Sequence, residues 1–194
     1  MVATNSCMLP IGTKSPTFSL PDVLSNKETQ LASNKHANGY LIAFICNHCP
    51  FVIHLLEHFP AHFNKIKEAE IDVFAISSND IEKYPQDSPD KMRHLGLDYN
   101  FEFPYLYDES QQVAKSFTAA CTPDFFLFDE NLELFYRGRY DASRPGSTEG
   151  VSGKDLLGAV DALLKKEKAP IVQLPSIGCN IKWRLGNEPD YFKK

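Results

Sequence analysis

One short segment limits the architecture of this chain more than any other. Tyr40-Leu41-Ile42-Ala43-Phe44-Ile45 is an unbroken apolar run, and Cys46-Asn47-His48-Cys49-Pro50 follows it directly. An apolar run of this length predicts a strand buried on both faces. Beyond the second cysteine, Phe51, Val52, Leu55, Leu56, Phe59, Phe63 and Ile66 recur at three- and four-residue spacing, as on a helix facing a core. Pro60 falls inside that pattern and should kink or split the helix. A strand buried on both sides needs cover on both sides, which points to a sheet between layers of helix.

The rest of the chain alternates in the same way. Pro16–Leu20 reads as a short strand ending in a turn at Pro21-Asp22. Residues 22–39 read as a hairpin or loop with a strand near Thr29–Leu31. Ile71–Ser77 is a second buried strand. Residues 80–98 hold a helix that starts after Pro89, Phe103–Leu106 is a short strand, and Ser110–Phe117 a short helix. Phe125–Phe128 and Leu132–Arg137 flank the turn signal Asp129-Glu130-Asn131 and predict a hairpin. Residues 141–152 form a Ser/Gly/Pro loop, and Gly153–Lys168 a last helix with Leu156, Leu157, Val160 and Leu163 on one face. Residues 1–15 are a loose lead-in, and about 169–194 an irregular tail without periodicity. The expected fold class is α/β, with a mixed central sheet covered on both faces, in one domain over residues 1–194.

Charge removes some functions. Twenty Lys and Arg against 25 Asp and Glu leave a formal net charge of −5, and no basic run stands out, so nucleic acid is not an expected partner. The Lys193-Lys194 pair is too short to alter that. No stretch approaches the roughly 18 apolar residues of a membrane helix. The segment MVATNSCMLPIG has neither a basic nor an apolar signal region. A cytoplasmic location is therefore expected. The cytosol keeps thiols reduced, so the five cysteines (7, 46, 49, 121 and 179) are not read as a structural disulfide framework, and C-x-x-C is read as redox-active or metal-binding.

Thiol chemistry needs a thiolate. A strand that delivers Cys46 to the first turn of a helix would expose it to unpaired N–H groups and to the helix dipole. Cys49, one turn on, lies within bonding reach. Cys46 is thus expected to attack and Cys49 to resolve the mixed disulfide. Pro50 suits an early helical position. His48, if protonated, would lower the Cys46 pKa further and make the couple more oxidising.

The strand–CNHC–P–helix unit, followed far downstream by Thr122-Pro123, resembles the thioredoxin superfamily. FPYLYDESQQVAKSF and CTPDFFLFDENLELFYRG resemble its redoxin or AhpC/TSA branch, which includes the TlpA-like thioredoxins and the peroxiredoxins. ICNHCPFV, NDIEKYPQDSP, CTPDFFLFD and PSIGCNIKW are closer still to a bacterial group called simply thioredoxin family proteins. The resemblance covers about residues 8–190. It implies a three-layer thioredoxin-like fold with an extra strand and helix, about residues 80–118, before a cis-proline. It also implies a nucleophilic Cys46, a resolving Cys49, a cis Thr122–Pro123 bond, and a Thr122 backbone that pairs with an extended substrate segment. The middle residues depart from the Gly-Pro of thioredoxin. A His in the position of His48 matches the C-P-H-C of DsbA and leans toward an oxidant, whereas a cytosolic location leans toward a reductase, so the direction of electron flow stays open.

The expected activity is thiol–disulfide exchange with protein or small-molecule disulfides and dithiols, served by a reducing partner and without metal or organic cofactor. Two alternatives stand beside it. Cys121 adjoins Thr122-Pro123 and would sit near the pair as a third thiol, so Cys46, Cys49 and Cys121, with an imidazole such as His48, form an alternative metal-binding or delivery site. A thiol peroxidase is the other. The peroxiredoxin pattern P-x-x-x-T-x-x-C, however, meets Gly39 and Ala43 when aligned on Cys46, and Ile42 and Cys46 when aligned on Cys49. His54, His58 and His62 fall at i, i+4, i+8 and read as an exposed helix face. Trp183 is expected to anchor the tail, and Cys179 is either a late resolving thiol or simply buried. Cys7 is idle. Arg137, Arg139, Asp141, Ser143 and Arg144 form a polar cluster after the hairpin with no role derivable from sequence.

Overall fold

A computed structural model describes residues 3–32 and 37–192. Lys193-Lys194, Met1-Val2 of the lead-in and residues 33–36 of the 22–39 loop lie outside the described residues.

The elements run in the order β1 (Ala3–Asn5), β2 (Phe18–Asp22), β3 (Lys27–Leu31), β4 (Gly39–Phe44), α1 (Pro50–Ile53), α2 (Phe59–Glu68), β5 (Ile71–Ser77), a 3-10 helix (Pro85–Asp87), α3 (Pro89–Asp98), β6 (Tyr105–Tyr107), α4 (Gln112–Ser116), β7 (Cys121–Thr122), β8 (Asp124–Asp129), β9 (Leu134–Gly138), α5 (Lys154–Leu164) and β10 (Ile177–Asn180). Seven strands form one mixed sheet in the order β3-β2-β6-β5-β4-β8-β9. β4 pairs in parallel with β5 and antiparallel with β8. The residues between β4 and β5 form a crossover, as parallel neighbours require.

Side chains of β4 alternate between two cores. Leu41 and Ala43 join α1, α2, α3 and α5 on one face through Val52, Phe59, Phe63, Met92, Leu156 and Val160. Tyr40, Ile42 and Phe44 join α4 on the other face, where Phe117 and Trp183 pack. Every residue of β4 is buried, because a central strand with both faces covered has no solvent side. Trp183 is 7% exposed and lies edge-on to Tyr191, so it anchors the tail as expected.

Two expectations change, for β2 and for the tail, and the split expected at Pro60 is present. β2 continues through Pro21 to Asp22. It pairs with β3 along its length but meets β6 only at Asp22, so the missing Pro21 N–H removes no bond on that side. The helix after Pro50 is two helices, with turns over 54–58, and Pro60 lies in the first turn of α2, where its absent N–H has no partner to lose. The tail is not wholly irregular. β10 pairs antiparallel with both β1 and β7 in a separate small sheet. Four residues flanked by neighbours on both edges give too short a pattern to read from sequence. Gly178 is required there, since a Cβ would lie 2.0 Å from the Thr122 carbonyl oxygen.

Candidate active site

Ile45 continues β4 by donating its N–H to the Ile76 carbonyl at 2.9 Å. The chain then bends through Asn47 and His48, and α1 starts at Pro50 with Cys49 as its N-cap residue. The helix terminus therefore belongs to Cys49 and not to Cys46, one residue-type argument that the sequence pattern misplaced. Both cysteines are buried, at 1% and 0% exposure.

The Thr122–Pro123 peptide is cis, and its residues close over the pair. Thr122 Oγ1 is 3.3 Å from Cys46 Sγ, and Cys49 Sγ donates to the Thr122 carbonyl at 3.0 Å. One residue thus touches both sulfurs. The Thr122 backbone is also in register with Cys179 of β10. The sulfur that reaches Cys49 from outside the C-x-x-C is that of Cys179. Cys121 instead directs its sulfur toward the Pro123 carbonyl at 3.5 Å, and burial pushes its thiol well above the ordinary range.

Cys49 is the hub of the thiols. Hydrogen bonds from Cys179 and then Cys46, with the N–H groups of Cys179 and Val52 behind them, lower its pKa against the opposing effect of burial. Cys46 and Cys179 are pushed up, first because each donates to Cys49 and then by burial. The expectation of a depressed Cys46 pKa is thereby reversed. A contributor absent from the sequence reading is Asp87, whose negative charge also raises Cys46.

Asp87 is fully buried in the 3-10 helix Pro85–Asp87. Its carboxylate accepts from the Asn47 N–H at 2.9 Å and from Asn79 Nδ2 at 2.8 Å, and it faces His48 Nδ1 at 2.6 Å. The His48 ring stacks on Tyr84 at 5.3 Å. Tyr105 donates its hydroxyl to Asn47 Oδ1 at 3.0 Å. A single acid thus holds the dipeptide between the cysteines. Its only sequence signal was its place in the NDIEKYPQDSP motif.

Among the described residues, the one group of three or more His, Cys, Asp or Glu able to hold a metal is Cys46, His48 and Asp87, whose ligand atoms lie within 4.8 Å of one another. Cys49 and Cys121 are not in it, so the metal set expected from sequence changes membership.

The other singled-out residues sit nearby. His54 Nε2 is 3.1 Å from Ser143 Oγ, and His62 Nδ1 bonds the Tyr140 hydroxyl. All three histidines of the stripe are half-buried against this loop or each other, not on an open face. Arg137 is fully buried, pairs with Asp124 directly after Pro123, and lies 3.7 Å above the Phe126 ring. Its Nε donates to the Cys7 carbonyl at 3.2 Å. A recess beside Pro123 is lined by Phe51, His54, Arg139, Ser143, Arg144 and Ile177, and neither Cys46 nor Cys49 lines it.

The AhpC/TSA family profile matches residues 11–137. The chain belongs to the AhpC/TSA family. Among solved structures, it is 44% identical to an uncharacterised conserved protein from Geobacillus kaustophilus, with a TM-score of 0.92 over 95% of this chain and 97% of that one. A hypothetical protein from Sinorhizobium meliloti is 42% identical, with a TM-score of 0.90 over 93% and 98%. The thioredoxin domain of a thiol–disulfide oxidoreductase from Bacteroides vulgatus shares the fold, at 15% identity and a TM-score of 0.55 over 68% and 91%. No curated protein matches the chain. As an AhpC/TSA member with a thioredoxin-like fold, the chain has the architecture expected of the redoxin branch. Among the described residues, no helix is long and apolar enough to cross a membrane.

Proposed function

We propose that this AhpC/TSA protein is a thiol–disulfide oxidoreductase whose couple is Cys46–Cys49, with Cys46 attacking and Cys49 resolving. The observation that carries the reading is the contact of both sulfurs with Thr122, the residue before the cis-proline. Cys49 is enclosed by Cys46, Cys179 and the Thr122 carbonyl, which leaves Cys46 as the sulfur for an incoming disulfide.

In the forward step Cys46 gives up its proton and its sulfur displaces one sulfur of the substrate disulfide, which leaves as the first substrate thiol with that proton. Cys49 then attacks the Cys46 sulfur of the mixed disulfide. The bond from Cys46 to the substrate breaks, the second substrate sulfur leaves as a thiol with the Cys49 proton, and the Cys46–Cys49 bond forms. The reverse sequence oxidises a dithiol, and a reducing partner completes the reductive cycle. Because Cys46 is 1% exposed, exchange proceeds through local opening. The expected setting is the cytoplasm, and no cofactor enters the scheme.

The test is equilibration in glutathione buffers with trapping of thiols. A two-electron couple near about −270 mV marks a reductase, and one near about −120 mV an oxidant. Cys49→Ser should accumulate mixed disulfides on Cys46, and Cys46→Ser should lose catalytic turnover of substrate disulfides, whatever slow equilibration with glutathione its other thiols keep. Normal exchange by Cys46→Ser would end the reading, and reductant-coupled turnover of peroxide that survives Cys49→Ser would replace it with a peroxidase.

A second reading rests on Cys46, His48 and Asp87, which combine the thiolate, imidazole and carboxylate donors that zinc accepts. The direct His48–Asp87 contact satisfies both groups without an ion, so exchange is the better-supported function. Stoichiometric metal in purified protein, lost on Asp87→Ala, would reverse that order.

A further inference from the structure

β10 lies along the cis-proline loop and brings the chain's own cysteine to the C-x-x-C. Cys179 and Thr122 face each other in the antiparallel register, and Asn180 faces Cys121. On its other edge β10 is held by β1, where Ala3 faces Cys179. The approach is close because residue 178 is glycine: a Cβ there would lie 2.0 Å from the Thr122 carbonyl oxygen and 3.1 Å from the Pro123 nitrogen. The segment is pinned further on by Lys182, whose N–H donates to Asn79 Oδ1 at 2.8 Å, while Asn79 itself donates to Asp87. Cys179 is 2% exposed and shares the core of Cys46 and Cys49, with its thiol hydrogen-bonded to Cys49.

We propose that Cys179 is a third redox-active thiol of this centre, exchanging with Cys49. The inference rests on the reading of Cys46–Cys49 as a disulfide-forming couple. Once a substrate disulfide has oxidised that pair, Cys179 attacks the Cys49 sulfur. The Cys49–Cys179 bond forms and the Cys46–Cys49 bond breaks. The electron pair leaves on the Cys46 sulfur, which takes up the proton given up by Cys179. Oxidation level is unchanged, so no further oxidant is needed. The oxidised protein is then a mixture of two disulfide isomers that share Cys49, and in one of them Cys46 is again a thiol. The same geometry assigns the Thr122 edge to β10 in the resting protein. An extended polypeptide substrate must displace β10 to use that edge, whereas a small disulfide does not have to.

The experiment maps disulfides. Wild-type protein and Cys46→Ser are equilibrated at a series of glutathione poises, quenched by alkylation, digested and analysed by mass spectrometry. The expected result is linked peptides for both Cys46–Cys49 and Cys49–Cys179 in the wild type. Cys46→Ser should retain a two-electron couple carried by Cys49–Cys179, lost in Cys46→Ser/Cys179→Ser. This arm keeps Cys179 in place, so it does not depend on the folding of a Cys179 variant. A wild type that forms only Cys46–Cys49, with Cys46→Ser reduced or merely glutathionylated at every poise, overturns the role of Cys179 and leaves the Cys46–Cys49 reading intact. A wild type that forms no Cys46–Cys49 disulfide at any poise overturns that reading instead.

Discussion

The Nδ1 atom of His48 lies 2.6 Å from Oδ2 of Asp87, a carboxylate with no solvent exposure. The residue placed to assist the thiolate at Cys46 is therefore matched by a buried negative charge that acts in the opposite sense. Asp87→Asn removes that charge while keeping an acceptor oxygen. It should lower the Cys46 pKa and raise its alkylation rate at neutral pH, read from the pH dependence of alkylation followed by peptide mapping. Part of the acceptor set for Asn47, Asn79 and His48 is lost, so stability should fall by about 1–3 kcal/mol.

Arg137 and Asp124 form an ion pair in which neither side chain is exposed. The second contact, Arg137 Nη2 to Asp124 Oδ2, is 3.0 Å, and the same oxygen accepts the Ala120 N–H at 3.1 Å. Asp124→Ala leaves a buried guanidinium without its counter-charge, so urea unfolding should show a loss of about 3–5 kcal/mol. Replacing both partners with apolar residues of similar volume should recover much of that loss.

Gly178→Ala forces a methyl group against the Thr122 carbonyl, which is backbone and cannot rotate away. β10 must shift, at a cost of about 1–3 kcal/mol. Cys49 and Cys179 should both become more accessible to alkylation in the native protein. An unchanged melting temperature together with unchanged alkylation would show that β10 docks less tightly than this contact demands.

Asp141 organises the loop before α5. Its Oδ1 accepts the Ser143 N–H at 2.8 Å, and its Oδ2 accepts those of Ser152 and Gly153, each at 2.7 Å. Burial works to raise its pKa, but the hydrogen bonds from Ser143, Ser152 and Gly153 outweigh it and hold the carboxyl below the usual carboxylate range. The unfolded chain therefore takes up this proton first as pH falls. Asp141 should contribute its full stabilisation above about pH 4 and lose it as pH drops through the depressed folded value. Asp141→Asn should be less stable than wild type at pH 7, and the difference should shrink on acidification in denaturant titrations.

The parts of this structure legible from sequence are those whose signal is local. The Tyr40–Ile45 run specified the central strand, and Pro89 marked the start of α3. Pro60 announced the break that separates α1 from α2. The Thr122-Pro123 dipeptide, by resemblance, located the cis bond. What remained hidden depends on contacts between distant segments. Asp87 is separated by 39 positions from the His48 it faces, and nothing around it marks it as buried. Arg137 read only as part of a polar cluster without a role, because only the folded sheet brings Asp124 beside it. Cys179 could not be told apart as a late resolving thiol or a merely buried one, since its pairing with Thr122 is a property of a strand too short to show a period.

The placement of β10 also bears on how the chain is made. Residues 121–122 are synthesised before 177–180, so for a time the nascent chain carries the β7 segment with its β10 neighbour still missing. An unsatisfied strand edge of this kind invites pairing with foreign strands. It lies beside two thiols that, at that stage, nothing from the later segment covers. Until Cys179 docks, that edge and the thiols beside it lack the cover that β10 gives them in the folded protein.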